Sequence, residues 1–364
     1  RWRRGTAAPG DGPAASRSSA PSPTAPPVAT ERWHVRAATT YPELDLAAGL
    51  VLAWSDARLM GLDPATGHTR WSRSARLGGA GVAKGSGGTP LRGGTAAGFA
   101  YLLDNTSFPW ALSAVRASSG AVAWRQALDT YPLTPLVRTG DVLCFGVDGA
   151  VRAIGSDGGA ARWSVSVDAT GGLAAGGGVL VAAGEHALCG LSAATGRQLW
   201  RYALASGATP VVADGLAIAS DTHGTLHAVR AADGAAVWRR AIHAAGPTPY
   251  AAGVLYATTD PGTVYALRTA TGATVWTRRL GNPTNESYGY PSVLGHSDGT
   301  LHVGGNDRIV YALDAATGRP RWTYPAAVSL TTAPVTATGL VFIGTRDGYA
   351  RALVPPNGGD RAGA

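Results

Sequence analysis

Tryptophan returns along this chain at a near-constant interval, and that recurrence limits the fold more than any other feature. Trp33, Trp71, Trp124, Trp163, Trp200, Trp238, Trp276 and Trp322 are separated by 38, 53, 39, 37, 38, 38 and 46 residues. A unit of about 40 residues with occasional insertions accounts for every interval, and such a period marks a repeat architecture. The register inside the unit is tight. Four residues before each Trp from Trp71 onward stands a glycine: Gly67, Gly120, Gly159, Gly196, Gly234, Gly272 and Gly318. Nine before stands an aliphatic (Leu62, Val115, Ile154, Leu191, Val229, Leu267, Leu313), and ten before stands Ala or Gly. Pro42, Pro90, Pro135, Pro210, Pro249, Pro291 and Pro334 each precede a short apolar stretch, with Gly172 in the remaining unit.

The segment Thr248–Trp276 serves as the type unit. Pro249 is expected to open a first strand, where a missing N–H is tolerated. Gly253–Ala257, Thr263–Leu267 and Ala273–Arg278 read as the next three strands, joined by Gly-containing turns. Four short antiparallel strands make one blade, and repetition about an axis makes a propeller. The indole fills the wedge between facing sheets. The Gly supplies the positive φ of a short hairpin, and the small residue ten before the Trp leaves room for a ring. The last unit, from Ala333 to Val354, stops before any Gly-x-x-x-Trp segment, while Trp33 has no three-strand set before it. Glu31–Arg36 is therefore expected to complete the last blade and so pair two edges that would otherwise be open. The chain is expected to be all-β, an eight-bladed β-propeller of four-stranded antiparallel blades closed by its N-terminal strand.

Residues 1–30 are Pro, Ala, Ser, Thr and Gly with little bulk, which reads as a disordered linker. The propeller is expected over 31–355 and a flexible tail over 356–364. The chain begins with Arg1 and shows no signal-peptide core, so it reads as a piece of a longer protein. Its longest apolar run, near Leu46–Trp54, is too short to span a bilayer. The net charge of +8 is carried by 30 Arg and one Lys, scattered without a basic stripe. No nucleic-acid partner is expected from such a distribution. Cys144 and Cys189 have neither metal-ligand nor disulfide-framework spacing. A monomeric propeller is expected, on the extracytoplasmic or envelope side, with a cytoplasmic place as the alternative.

The phrase Tyr311-Ala-Leu-Asp-Ala-Ala-Thr-Gly-Arg-Pro-Arg-Trp322 resembles the tryptophan-docking repeat of the pyrroloquinoline-quinone (PQQ) proteins, as do Leu62 to Trp71 and Leu191 to Trp200. The resemblance covers residues 31 to 354 and implies the fold; it is silent on function, since one fold hosts unrelated tasks. The family's dehydrogenases stack adjacent cysteines under the quinone and embed a calcium site in long insertions. Here the two cysteines are 45 residues apart, so no cofactor is expected, and PQQ with calcium is the least favoured reading. Among non-catalytic relatives are envelope propellers that act as scaffolds in outer-membrane assembly and C-terminal propellers of some bacterial serine/threonine kinases. The linker and the Arg-rich coding resemble the kinase arrangement. The expected function is a non-catalytic module that binds a protein or small ligand, regulatory within such a larger protein, with the envelope scaffold as the alternative.

In a four-stranded blade the turns between strands two and three, and the loops from strand four to the next blade, share one face. The insertions Leu77–Thr89, Asp104–Trp110 and Gly281–Tyr290 all fall in those classes, and long loops on one face build binding surfaces in repeat proteins. The candidates on that face are Asn105, Trp110, Asn285, Glu286, Tyr288, Tyr290, Asn306, Arg308 and Arg346. A recurring acid joins them at the strand-two turn: Asp56, Asp148, Glu185, Asp221, Asp260, Asp307 and Asp347. Such carboxylates could hold a cation or a basic peptide, yet Asp is also a common turn former. His186 and His223 occupy equivalent turns but have no third ligand in view, so no metal is expected. Gly-x-Ser-x-Gly, His-Glu-x-x-His and phosphate-loop patterns are absent.

Overall fold

The computed structural model describes residues 25–38, 42–54, 58–74, 98–104, 108–205, 209–259, 262–281, 293–304 and 307–356. Every regular element among them is a strand. The strands form eight antiparallel sheets, seven of four strands and one of three. Blades 1 to 7 occupy 43–74, 99–128, 137–165, 172–203, 211–241, 244–279 and 293–325. Blade 2 is the three-stranded sheet among the described residues, and 75–97, with the insertion Leu77–Thr89, lie outside them. Blade 8 combines three strands within 335–354 with the strand Thr30–Arg36, which pairs antiparallel to Tyr349–Val354. The expected closure is therefore present. First strands of neighbouring blades touch in succession from blade 3 round to blade 1, which puts strand one at the axis and strand four at the rim.

The apolar residues have no single centre. They divide into clusters that each lie between two blades, as Leu143 and Phe145 of blade 3 meet Leu112 and Leu128 of blade 2, and Tyr256 of blade 6 meets Leu301 and Val303 of blade 7. A strand buried on both faces needs a nearly continuous apolar run. The second strands supply it, for example Val179–Ala183 and Leu216–Ser220, buried throughout.

The docking geometry is repeated around the ring. From Trp33 to Trp276 each docking indole Nε1–H donates to a carbonyl of the following blade, as Trp33 to Pro64 (3.0 Å), Trp163 to Ala193 (3.1 Å) and Trp200 to Ala231 (2.7 Å). The glycine four before a Trp has the expected positive φ, and it also lies under the Trp of the preceding blade. At Gly234 (φ +73°) an added Cβ would stand 2.8 Å from Cδ2 of Trp200. The small residue ten before sits directly across the strand pair from its own unit's Trp, as Ala228 faces Trp238.

At that point the ladder slips by one. Ala228 pairs with Trp238 but Val229 pairs with Ala236, which leaves Val237 unpaired on the outer strand. The same slip precedes the docking Trp in every blade, Trp33 of blade 8 included. A bulge of this kind bends the strand and re-aims the extra side chain.

Two local expectations shift. Pro249 does not open its strand; it sits inside Ala244–Ala251, at an irregularity between Thr248 and Tyr250 where no ladder N–H is required. The linker expected over 1–30 enters the fold at its end. Thr323 N–H donates to the Pro27 carbonyl (2.9 Å), Ala29 N–H donates back to Thr323 (2.8 Å), and Ala29 is buried.

His302, on strand two of blade 7, is 3 % exposed beside Trp322, and its Nδ1 has no hydrogen-bond partner. Burial, with the nearby His296 and Arg321, lowers its pKa to about 4 from an ordinary 6.5, against a raising backbone hydrogen bond to Gly295. The unfolded chain takes up this proton at higher pH than the folded one, so stability is full above pH ~6.5 and falls as pH drops toward ~4. At about 1.4 kcal/mol per unit the loss is on the order of 3 kcal/mol. Urea midpoints between pH 7 and pH 4 should fall less in His302→Gln than in the parent; equal slopes would remove His302 as the cause.

Candidate functional site

The two loop classes meet on one face. Glu185 N–H, in a strand-two turn, donates to Asp168 Oδ2 of the loop leading into its own blade (2.7 Å). Similar bonds join Gly224 to Ala244 and Arg308 to Ala326. Of the residues assigned to this face, Asp56, Asn105, Asp260, Asn285, Glu286, Tyr288, Tyr290 and Asn306 lie outside the described residues.

Three of the described acids are engaged within their own blades. Asp221 Oδ1 accepts the N–H groups of His223 (2.9 Å) and Thr225 (2.8 Å), and Oδ2 meets His227 Nε2 at 3.2 Å. His227 Nδ1 is in turn 3.2 Å from the Tyr202 hydroxyl, so the chain clasps turn, strand three and strand four of adjoining segments. Asp307 accepts Ile309 N–H (3.1 Å) and the Tyr311 hydroxyl. Asp347 accepts the Thr345 hydroxyl (2.6 Å) and Arg351 Nη2 (2.6 Å). Burial works to raise the Asp221 and Asp347 carboxyls, and these hydrogen bonds outweigh it and hold both below the usual range. Asp148, Glu185, His186, His223, Arg308 and Arg346 are exposed. Asp221, Asp307 and Asp347 have no partner in common. Asp221 and Asp307 satisfy the backbone of a tight turn, which is what Asp does well there, and among the described residues no three His, Cys, Asp or Glu are placed to hold a metal.

Trp110 leads to a feature that the spacing of acids did not reveal. Its ring lies edge-on between Phe108 (5.5 Å, 89°) and Tyr131 (5.5 Å, 78°). Phe108 is 71 % exposed, the most open large apolar side chain described. It stands at the mouth of a groove of about 590 Å³ between blades 2 and 3. Leu128, Phe145 and Ile154 line its apolar part, while Gln126, Asp129, Arg152 and Arg162 supply polar groups. Asp129 takes a hydrogen bond from Arg152, which holds its carboxyl below the usual range. Phe108 falls inside the insertion Asp104–Trp110, and a Phe in a chain with only 4 of them was the available signal.

Cys144 is pushed up to about 12 by burial, and burial raises Cys189 too. Both lie in the apolar cluster between blades 3 and 4, so neither is a thiolate poised to attack. They occupy different blades and do not form the adjacent pair a bound quinone would rest on.

A family model described as "Outer membrane protein assembly factor BamB" matches residues 55–166, 147–242 and 222–363. BamB from Moraxella catarrhalis is similar in structure at 18 % identity and TM-score 0.65, over 90 % of this chain and 100 % of that one. A computationally designed protein, Ika8, has TM-score 0.72 at 13 % identity, covering 89 % and 99 %. The quinohemoprotein alcohol dehydrogenase ADHIIG from Pseudomonas putida HK5 has TM-score 0.65 at 13 % identity, covering 89 % and 75 %. The search of curated proteins gave no match. At these identities the likeness to solved structures establishes the fold alone.

Proposed function

Because the chain belongs to the propeller family described as outer membrane protein assembly factor BamB, we propose that it is a non-catalytic binding propeller that takes a segment of a partner protein in the groove between blades 2 and 3. One observation carries this reading: the exposed Phe108, backed by Trp110 and Tyr131, at the rim of an apolar groove with an ion pair at its edge. Large aromatic side chains and Arg are the residue types that dominate binding energy at protein interfaces. No helix among the described residues is long and apolar enough to cross a membrane, and the family's description favours the envelope side.

A photo-crosslinking phenylalanine analogue placed at 108 in the source cell tests it. A discrete protein adduct is expected at 108 and none at the turn residue Asp214, with Trp110→Ala weakening the adduct several-fold. Adducts equal at both positions would overturn the reading. A thermal-shift panel of PQQ with calcium, metals, sugars and cell-wall fragments tests the small-ligand and quinone alternatives. A ligand at 100 times its dissociation constant adds about 2.7 kcal/mol; a flat panel is expected, and a shift with PQQ would restore the enzyme reading. The Pro/Ala/Ser/Thr stretch before the propeller favours a second, compatible reading as the tethered regulatory module of a larger bacterial protein such as a serine/threonine kinase. Phosphoryl transfer by the whole protein that changes when the groove is occupied is the result it requires.

A further inference from the structure

The bulge before each docking Trp throws one side chain outward from the rim, and its identity differs around the ring. In blades 1, 3 and 7 it is an arginine held by a carboxylate: Arg70 by Asp63 (2.6 Å), Arg162 by Asp141 (3.5 Å) and Arg321 by Asp314 (2.7 Å). In three consecutive blades, 4, 5 and 6, it is an exposed aliphatic instead: Leu199 (37 %), Val237 (45 %) and Val275 (40 %). Single exposed aliphatics are ordinary. These three occupy one register on neighbouring outer strands, Gln198–Ala203, Ala236–Ala241 and Thr274–Arg279. The same strands hold five arginines, Arg201, Arg239, Arg240, Arg278 and Arg279, and no acid. Among the described residues none of the five is in an ion pair, and all but the half-buried Arg278 are exposed.

From this we infer that the rim of blades 4 to 6 is a second interaction surface, and that its partner is an acidic, aliphatic-bearing polypeptide segment in extended conformation. Charge complementarity sets the acidic character, since no carboxylate among the described residues pairs with these arginines. The aliphatic bulge residues set the apolar component. Curvature sets the extended form. Eight blades turn by about 45° each, so the three bulge residues face directions up to about 90° apart. A planar bilayer meets one or two of them, whereas an extended segment rising ~3.3 Å per residue can follow all three. Among the described residues each of these outer strands ends its sheet, and such an edge is the kind of template to which an added strand bonds. The surface lies on other blades than the groove, and none of its residues lines that groove.

The test uses the full chain and three probes: a fluorescein-labelled twelve-residue peptide alternating Glu with Val or Leu, the same peptide with Lys for Glu, and phosphatidylglycerol vesicles. Saturable binding of the acidic peptide is expected, weakening with salt, and weakened at least tenfold by Leu199→Ser with Val237→Ser and by Arg239→Gln with Arg279→Gln. Arg70→Gln, at the ion-paired bulge of blade 1, is expected to leave it unchanged. No binding of the acidic peptide, equal binding of the Lys peptide, or binding indifferent to the rim substitutions would overturn the inference. Vesicle binding without peptide binding would overturn it in favour of an anionic lipid surface. Unchanged melting of the variants confirms that a loss is one of contact, and crosslinking at 108 reports on the groove separately.

Discussion

Trp200→Ala is expected to remove about 3–5 kcal/mol of stability, the usual cost of emptying a buried aromatic site. The indole is 7 % exposed, donates to the Ala231 carbonyl at 2.7 Å and covers Gly234 of the next blade. Its loss opens a cavity between blades 4 and 5 and leaves that carbonyl without its donor. Gly234→Ala is expected to cost about 1–3 kcal/mol on its own, from a Cβ forced into φ +73° and standing 2.8 Å from the ring. The two costs should not add. Once the ring is gone the clash is gone, and only the φ strain remains. A coupling of about 1 kcal/mol or more is expected between touching residues, read from urea midpoints of the parent, both single variants and the double variant. Strict additivity would mean that Trp200 and Gly234 do not touch, and the docking geometry would fail with it.

Deleting 25–36 is expected to have the other large effect. The strand Thr30–Arg36 makes six cross-strand pairs with Tyr349–Val354, and Trp33 docks on blade 1 by its bond to Pro64. Glu31 adds a knot of polar contacts: it accepts Arg351 (2.8 Å) and the Tyr324 hydroxyl (2.9 Å), so the first strand ties blade 7 to blade 8. Burial works to raise the Glu31 carboxyl, and these hydrogen bonds hold it below its ordinary value. Without the strand, the apolar cluster between blades 8 and 1 loses Trp33 and Val35, and a full sheet edge is open to other chains. The melting point should fall by about 10 °C or more, with concentration-dependent association. Adding a synthetic 25–36 peptide should restore most of the loss. Unchanged melting would show that the ring does not depend on this closure.

Much of this was written in the residue spacing. Eight Trp fixed eight blades, the Gly four before each fixed the last hairpin, and a final unit without its Trp located its missing strand at Glu31–Arg36. Within a blade spacing succeeds because strand, turn and cross-strand partner all lie in one repeat, so local periodicity encodes them. The closing strand, paired with Tyr349–Val354 at the far end of the chain, is found by counting what the last repeat lacks. It also marked the acids of the strand-two turns, and Asp221, Asp307 and Asp347 do sit there, bonded to their own blades.

What spacing could not give is which repeat touches which. The Gly at 234 reads as a turn former, and only the assembled ring shows that Trp200 of the previous blade lies over it. The slip that aims Val237 outward is a property of paired strands and leaves no mark in a single one. The groove at Phe108 is made by residues of two neighbouring sheets, and Ala29 is buried among side chains of blades 7 and 8, though its neighbours have the composition of a linker. Sequence by itself determined the repeat and its strands, because those are short-range. It determined the closure by elimination, because a unit lacking one strand and a strand lacking its unit complete each other. Tertiary structure alone decided the surfaces, because a surface is what remains uncovered after blades separated by tens of residues have packed together.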